Sequence, residues 1–104
     1  MAAIAYAGRT EPGNTNWKQV ANGRGVYVDV DTSAAHFNTT RNIPVYITSL
    51  GGKNQHWATT GATSIYKATY TGFRIFVRWI DGSPITPDYA NDVEWHINWL
   101  GRQE

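Results

Sequence analysis

The fold of this chain is decided by residues 71–80, which read TGFRIFVRWI. After the Thr71-Gly72 turn, every second side chain is a large apolar one. A period of two is the signature of a β-strand that buries one face and exposes the other. We therefore predict a strand that follows this turn. Its inward residues are Phe73, Ile75, Val77 and Trp79, and its outward residues are Arg74, Phe76 and Arg78.

The same alternation predicts four further strands, within residues 26–31, 43–50, 63–69 and 95–100. A sixth strand, within residues 4–20, would complete two small antiparallel sheets. The predicted fold is therefore all-β, a six-stranded antiparallel β-sandwich. The predicted inward residues of these strands are Val26, Val28, Val30, Val45, Ile47, Ile65, Trp95, Ile97 and Trp99.

Composition supports this fold class and excludes several others. The chain has 104 residues, 13% of them aromatic, and threonine, isoleucine and valine are abundant, as is typical of strands. It has no cysteine, which excludes disulfides and thiolate chemistry, and a net charge of +1, which gives no general attraction to nucleic acid. Residues 1–7 lack the features of a signal peptide, and no run predicts membrane insertion. We expect one domain, residues 17–104, preceded by an arm or edge strand, residues 1–16.

No motif in the chain predicts catalysis. Asp29 and Asp31 share a strand face, as a glycosidase pair does, but a solvated strand face explains them better. The three histidines, His36, His56 and His96, do not have the spacing of a metal site. We therefore expect a protein that is not an enzyme and that holds neither a cofactor nor a metal.

Two loops carry the residues that best predict a binding site. Residues 53–61 and 80–94 lie at the same end of the molecule if the last three strands run antiparallel. Aromatic rings and fixed polar groups are what a sugar requires, for stacking and for hydrogen bonds. The alternative is that Trp57 and Trp95 only cap the core. The residues gathered at this end are His56, Trp57, Asp81, Tyr89, Asp92 and Glu94.

Three motifs, in the same order, resemble the H-type lectin domain, the family of snail agglutinins and discoidin C-terminal domains. They are the run IPVYITSL at residues 43–50, the Thr-Gly-Phe turn at 71–73 and the run WHINWL at 95–100. The resemblance covers roughly residues 17–101. It implies a six-stranded antiparallel β-sandwich, assembly as a homotrimer, and binding of galactose or N-acetylgalactosamine between protomers. It also favours an extracellular location.

The resemblance implies a candidate sugar site. Asp81 falls on the polar member of a family sugar-binding pair, and Thr60 stands where the family has an arginine. We expect Asp81 to accept hydrogen bonds from hydroxyls while Trp57 or Tyr89 offers a ring for stacking. The secondary candidates are Asp92, His56 and Arg24, the last reaching in from a neighbouring protomer.

Self-association is the second expectation. Phe76 lies between two arginines on an outward strand face, and the final strand adds Leu100. Aromatic and arginine side chains together are typical of interface cores. Two functions stay open: a sugar-binding lectin that is multivalent through trimerisation, or a structural trimerisation or adhesion module of the same fold that binds no sugar.

Overall fold

The computed structural model of the protein describes residues 2–104. It contains two antiparallel sheets, one three-stranded in the order β1-β7-β4 and one four-stranded in the order β2-β3-β6-β5. One short helix, α1, lies between β6 and β7. The elements are β1 Ile4–Arg9, β2 Lys18–Gln19, β3 Val26–Asp31, β4 Val45–Gly51, β5 Thr59–Thr60, β6 Gly72–Trp79, α1 Pro87–Asp92 and β7 His96–Gln103.

The predicted all-β, antiparallel class is confirmed, but the predicted count of six strands is wrong. The described residues form seven strands, because the chain before β3 supplies two of them. β1 is the edge strand of the three-stranded sheet and pairs with β7 along its whole length. β2 pairs through only two residues with β3, in the other sheet. Residues 1–16 therefore include a strand that is part of a sheet.

The prediction for β3 and β6 is confirmed. The two strands pair with Val28 opposite Ile75 and Val30 opposite Phe73. Their inward side chains are buried, except that Trp79 at the end of β6 is half-buried, whereas the outward ones are exposed or half-buried. The ring of Phe73 packs on Tyr46 of β4, with centroids 4.6 Å apart, so the core joins the two sheets.

The predicted register of β4 is wrong. Val45 and Ile47 point to solvent, at 68% and 66% exposure, while Tyr46 and Thr48 are buried. Both parities of this strand carry apolar side chains, and the larger ring takes the interior because it buries more area. The Tyr46 hydroxyl also finds partners there: it donates to the Thr69 carbonyl at 2.7 Å and lies 2.9 Å from the Thr32 hydroxyl.

The predicted strand at residues 63–69 is also wrong. Only a single bridge forms there, between Tyr66 and Arg74, and β5 lies before it. Gly61 and Lys67 both have positive φ, at 106° and 53°, which interrupts an extended path. Ile65, predicted to be inward, is only partly buried against the core.

The segment 80–94 is ordered by its own hydrogen bonds. Thr86 caps α1, since its hydroxyl accepts from the backbone N–H of Tyr89 at 3.1 Å, and Pro87 follows at the first helical position. Beyond the helix, Trp95, which directly precedes β7, and Ile97 and Trp99 of β7 are buried, as predicted. No helix among residues 2–104 is long and apolar enough to cross a membrane.

Candidate functional site

The two loops meet at one end of the molecule, as the sequence predicts. The backbone N–H of Lys53 donates to the Val93 carbonyl at 2.8 Å, and its ammonium lies 2.8 Å from the Glu94 carboxylate. The indole N–H of Trp95 donates to the Asn54 carbonyl at 2.9 Å. These bonds tie the loops at 53–61 and 80–94 into one surface, which we call the loop end.

Trp57 and His56 lie in a short 3₁₀ turn of the loop end. The Trp57 side chain is 82% exposed, so one of the two open interpretations, that it caps the core, is wrong. His56 is half-buried, and its Nδ1 atom is buried without a hydrogen-bond partner among residues 2–104. The turn is attached to the sheet because the Ile80 N–H donates to the Ala58 carbonyl at 3.0 Å.

Asp81 and Arg24 converge on one turn within the same chain. The Asp81 carboxylate is exposed and accepts from the Ser83 backbone N–H at 2.9 Å. That hydrogen bond holds the pKa of Asp81 below its usual value. The Arg24 guanidinium donates to the neighbouring Gly82 carbonyl at 2.8 Å. The structure thus brings together two residues that are 57 positions apart in the chain.

Tyr89 and Asp92 lie on α1 and differ in their surroundings. The Tyr89 ring packs against Trp79 and Trp95, with both centroid distances at 5.7 Å. These contacts give the ring a structural role in holding α1 against the core. Asp92 is exposed and forms no ion pair among residues 2–104.

A cleft of about 260 Å³ opens beside the loop end, on the outside of the four-stranded sheet. Of the predicted site residues, only Arg24 lines it. Thr60, which stands where the resembled family has an arginine, also lines it, and Arg78 faces outward as predicted. Besides Arg24, the polar and aromatic lining includes Asn22, Ser64, Tyr66, Phe76 and Arg78.

Strand pairing builds this cleft from distant residues. Val26 pairs with Val77, which places the turn before β3 beside Arg78. The bridge between Tyr66 and Arg74 carries two backbone hydrogen bonds, of 2.9 and 2.7 Å, and sets the Tyr66 ring on the sheet. That ring is 50% exposed and meets the Phe76 ring edge to face at 5.1 Å. The cleft therefore offers an aromatic wall with polar groups around it.

Two clusters considered from the sequence do not form reactive sites. Asp29 accepts two hydrogen bonds from the Arg74 guanidinium, at 2.7 and 3.0 Å, which lowers its pKa. Asp31 accepts from the backbone of Ser33, which lowers its pKa as well. Both carboxylates are therefore held ionised by structural partners. No group of three His, Asp or Glu side chains within residues 2–104 is placed to hold a metal ion.

The outside of the three-stranded sheet carries a contrasting surface. Ile47 lies opposite Leu100, and Ala7 lies opposite Leu100 on the other side. Together with Val45 these side chains form an exposed apolar strip across all three strands, here called the apolar face. The predicted assembly surface, which combined Phe76 with Leu100, is wrong, because Phe76 lies on β6 of the four-stranded sheet and Leu100 on β7 of the three-stranded sheet.

No family model, no curated protein and no solved structure matches this chain. What the protein binds is therefore inferred from the chemistry of its own surfaces. Two of them stand out, the cleft beside the loop end and the apolar face on the opposite sheet.

Proposed function

We propose that this protein is a non-enzymatic, carbohydrate-binding lectin of the H-type fold, with specificity for galactose or N-acetylgalactosamine. The observation that carries the proposal is the cleft, where an exposed tyrosine ring stands among hydrogen-bonding side chains. A pyranose has one apolar face for a ring and a rim of hydroxyls for polar partners. The protein acts by binding and requires no cofactor, and by analogy with the family it works outside the cell.

Strand arrangement supports the family assignment. Two antiparallel sheets that share one core agree with the sandwich architecture that the resemblance implies, although the described residues form seven strands and not six. The Thr-Gly-Phe turn leads into β6, and residues 96–100 of the run WHINWL lie in β7, the last strand, as the resemblance leads us to expect.

In this proposal the sugar stacks on Tyr66 and its hydroxyls bond to the Asn22 amide and the Ser64 hydroxyl. Trp57 and Asp81, exposed on the neighbouring loop end, serve longer glycans. A small polar ligand exchanges bonds with water for bonds with protein, so each site is weak, with a dissociation constant roughly in the millimolar to high-micromolar range. Several sites on one assembly then add avidity.

Assembly as a homotrimer is the second part of the proposal. Val45, Ile47 and Leu100 expose apolar side chains next to one another on the apolar face. Contiguous apolar surface of this kind marks an interaction site in soluble proteins. The resemblance implies that three chains assemble. Each further copy of the chain presents the same apolar face for contact.

The alternative is a structural trimerisation or adhesion module that keeps the fold and binds no sugar. Two observations favour it. Thr60 lines the cleft at the position where the family has an arginine, and the apolar face does not depend on the cleft. Binding and assembly are therefore tested separately.

Binding is tested on a glycan array with the wild type, Tyr66→Ala and Trp57→Ala. Tyr6→Ala is the matched control, because Tyr6 is 41% exposed and lies on the other sheet. We expect Tyr66→Ala to lose about tenfold in binding and the control to keep it. If the folded wild type binds no glycan, neutral or acidic, the lectin proposal fails and the structural module stands.

Assembly is tested by sedimentation at micromolar concentration. We expect the wild type at about three times the chain mass of 11.6 kDa. Ile47→Lys and Leu100→Lys place a charge on the apolar face and should give single chains. Thr63→Lys, an exposed position outside that face, is the control. A wild type of about 12 kDa would contradict the trimer.

A further inference from the structure

We propose that the sugar bound in the cleft carries an anionic group, a carboxylate or a sulfate ester. The inference rests on the proposed function and adds the charge of the ligand. Its basis is a pair of arginines, Arg24 and Arg78, that both line the cleft. No Asp or Glu side chain lines it with them.

Arg78 is held at the cleft by the sheet itself. It is an outward residue of β6, paired with Thr60 of β5, and its side chain is exposed. It forms no ion pair with any of residues 2–104. Two glycines, Gly25 and Gly61, also line the cleft and let the neighbouring segments approach β6 closely, since a Cβ at Gly61 would meet the Phe76 carbonyl oxygen.

Arg24 is held from the other side. Its guanidinium donates one hydrogen bond to the Gly82 carbonyl, and its backbone N–H donates to the Asn22 side chain at 2.9 Å. A guanidinium has several N–H donors in a planar fork, and a single carbonyl occupies only part of it. The contact therefore fixes the arginine while leaving donors for a ligand.

Three of the other basic residues have acidic partners, whereas Arg9, Lys18, Arg41 and Lys67 form no ion pair among residues 2–104. Arg74 is paired with Asp29 at 2.7 Å, Arg102 with Glu104 at 2.7 Å, and Lys53 with Glu94. The Asp81 carboxylate, next to the Arg24 contact, lies outside the cleft lining and is bonded to Ser83. The cleft is thus a local positive site on a chain whose net charge is only +1.

The shape of the site narrows the ligand to a single charged sugar unit. Guanidinium forks match the paired oxygens of carboxylate or sulfate, often with two parallel hydrogen bonds. The Tyr66 ring gives the apolar face of a pyranose a surface to stack on. A volume of about 260 Å³ lies below the range of drug-sized ligand pockets, which fits one monosaccharide unit.

The test is calorimetric titration with three matched ligands: methyl galactoside, methyl galacturonoside and galactose 6-sulfate. We expect at least one acidic sugar to bind about tenfold or more tightly than the neutral one at low salt. That advantage should shrink as ionic strength rises, because salt screens an exposed charge pair. The acidic sugar that binds more tightly identifies the anionic group.

Variants decide whether the two arginines are responsible. Arg78→Gln and Arg24→Gln should each reduce the ratio of acidic-sugar to neutral-sugar affinity toward one. Arg102→Gln, an exposed arginine on the other sheet, is the matched control and should change neither. Circular dichroism checks that each variant is folded.

Two results would overturn the inference and are distinguishable from failure of the proposed function. Equal affinity for all three sugars, or an acidic preference that survives both arginine substitutions, removes the charge inference and leaves sugar binding in place. If the folded wild type binds none of the three, sugar binding fails and the charge inference fails with it.

Discussion

The outward apolar side chains of the two sheets differ in whether neighbouring side chains cover them. On the four-stranded sheet, Tyr27 and Phe76 pack with ring centroids 5.5 Å apart. Arg74 covers Tyr27 at 4.6 Å and is bonded to Asp29. On the three-stranded sheet, the apolar face has no such cover. The outward rings and charges of the four-stranded sheet therefore have partners within the chain, except at the cleft. The apolar side chains on the outside of the three-stranded sheet stay exposed.

This difference assigns the two faces to different kinds of partner. A face whose rings and charges are already paired gains little from burial against a second protein. What it offers is the cleft, a concave site with unpaired donors. A flat apolar strip has few hydrogen-bonding groups for a small polar ligand, but it gains from contact with another apolar surface.

The largest expected effect is a loss of stability when a large ring is removed from the core between the two sheets. Phe73→Ala should lower the free energy of unfolding by about 3–5 kcal/mol, because the buried ring packs on Tyr46 and leaves a cavity. Urea unfolding measures the loss. A loss under about 1 kcal/mol would mean that Phe73 does not face the core.

A matched pair of truncations compares the faces directly. Phe76→Ala should cost about 1–3 kcal/mol, since Phe76 is half-buried and contacts two tyrosine rings. Ile47→Ala should stay within about 0.5 kcal/mol, because its side chain has little to lose in a single chain. Both are measured by urea unfolding at a dilution where sedimentation shows single chains. Equal losses would contradict the contrast between the faces.

The smallest expected effect concerns the ion pair on the covered face. Arg74 lowers the pKa of Asp29 in the folded chain. The stabilisation by this ion pair is therefore fully present above the pKa of Asp29 in the unfolded chain, about 4, and is lost as the pH falls through the lower pKa of the folded chain. Asp29→Asn should therefore cost about 0.5 kcal/mol at neutral pH, a small figure because solvent screens the pair.

The pH dependence provides the check on this prediction. The difference between wild type and Asp29→Asn should shrink as the pH is lowered below about 4, and thermal unfolding at several pH values measures it. Ser49→Ala, on the opposite face, serves as a control with no ionisable group. A difference that grows toward low pH would reverse the sign and exclude the ion pair as its cause.

Alternation predicted the strands wherever only one parity of a strand is apolar. β3 shows this, because its valines alternate with Tyr27 and two aspartates, and β6 largely follows it, with Phe76 as the one large apolar side chain between Arg74 and Arg78 on its outward face. In β4, valine, tyrosine and isoleucine follow one another, so either parity could face inward. Burial of the Tyr46 ring and the hydrogen bonds of its hydroxyl decided between them.

The candidate site was predictable only in part, because the residues that line the cleft are far apart along the chain. Arg24, Tyr66 and Arg78 come from three separate segments, and no local pattern relates them. The pairing of β3 with β6 and the Tyr66 bridge join them. The loop end was predicted on the premise of three consecutive antiparallel strands, of which the one at 63–69 does not form. The two loops meet there through hydrogen bonds between them, from Lys53 to Val93 and from Trp95 to Asn54.

The sequence by itself determined the all-β class and the inward faces of β3, β6 and β7, since these depend on a period of two that each strand carries locally. The tertiary structure alone decided which side of β4 is buried and which residues line the cleft. Both depend on contacts between segments far apart in the chain, where packing of one large ring or one strand pair outweighs local preference.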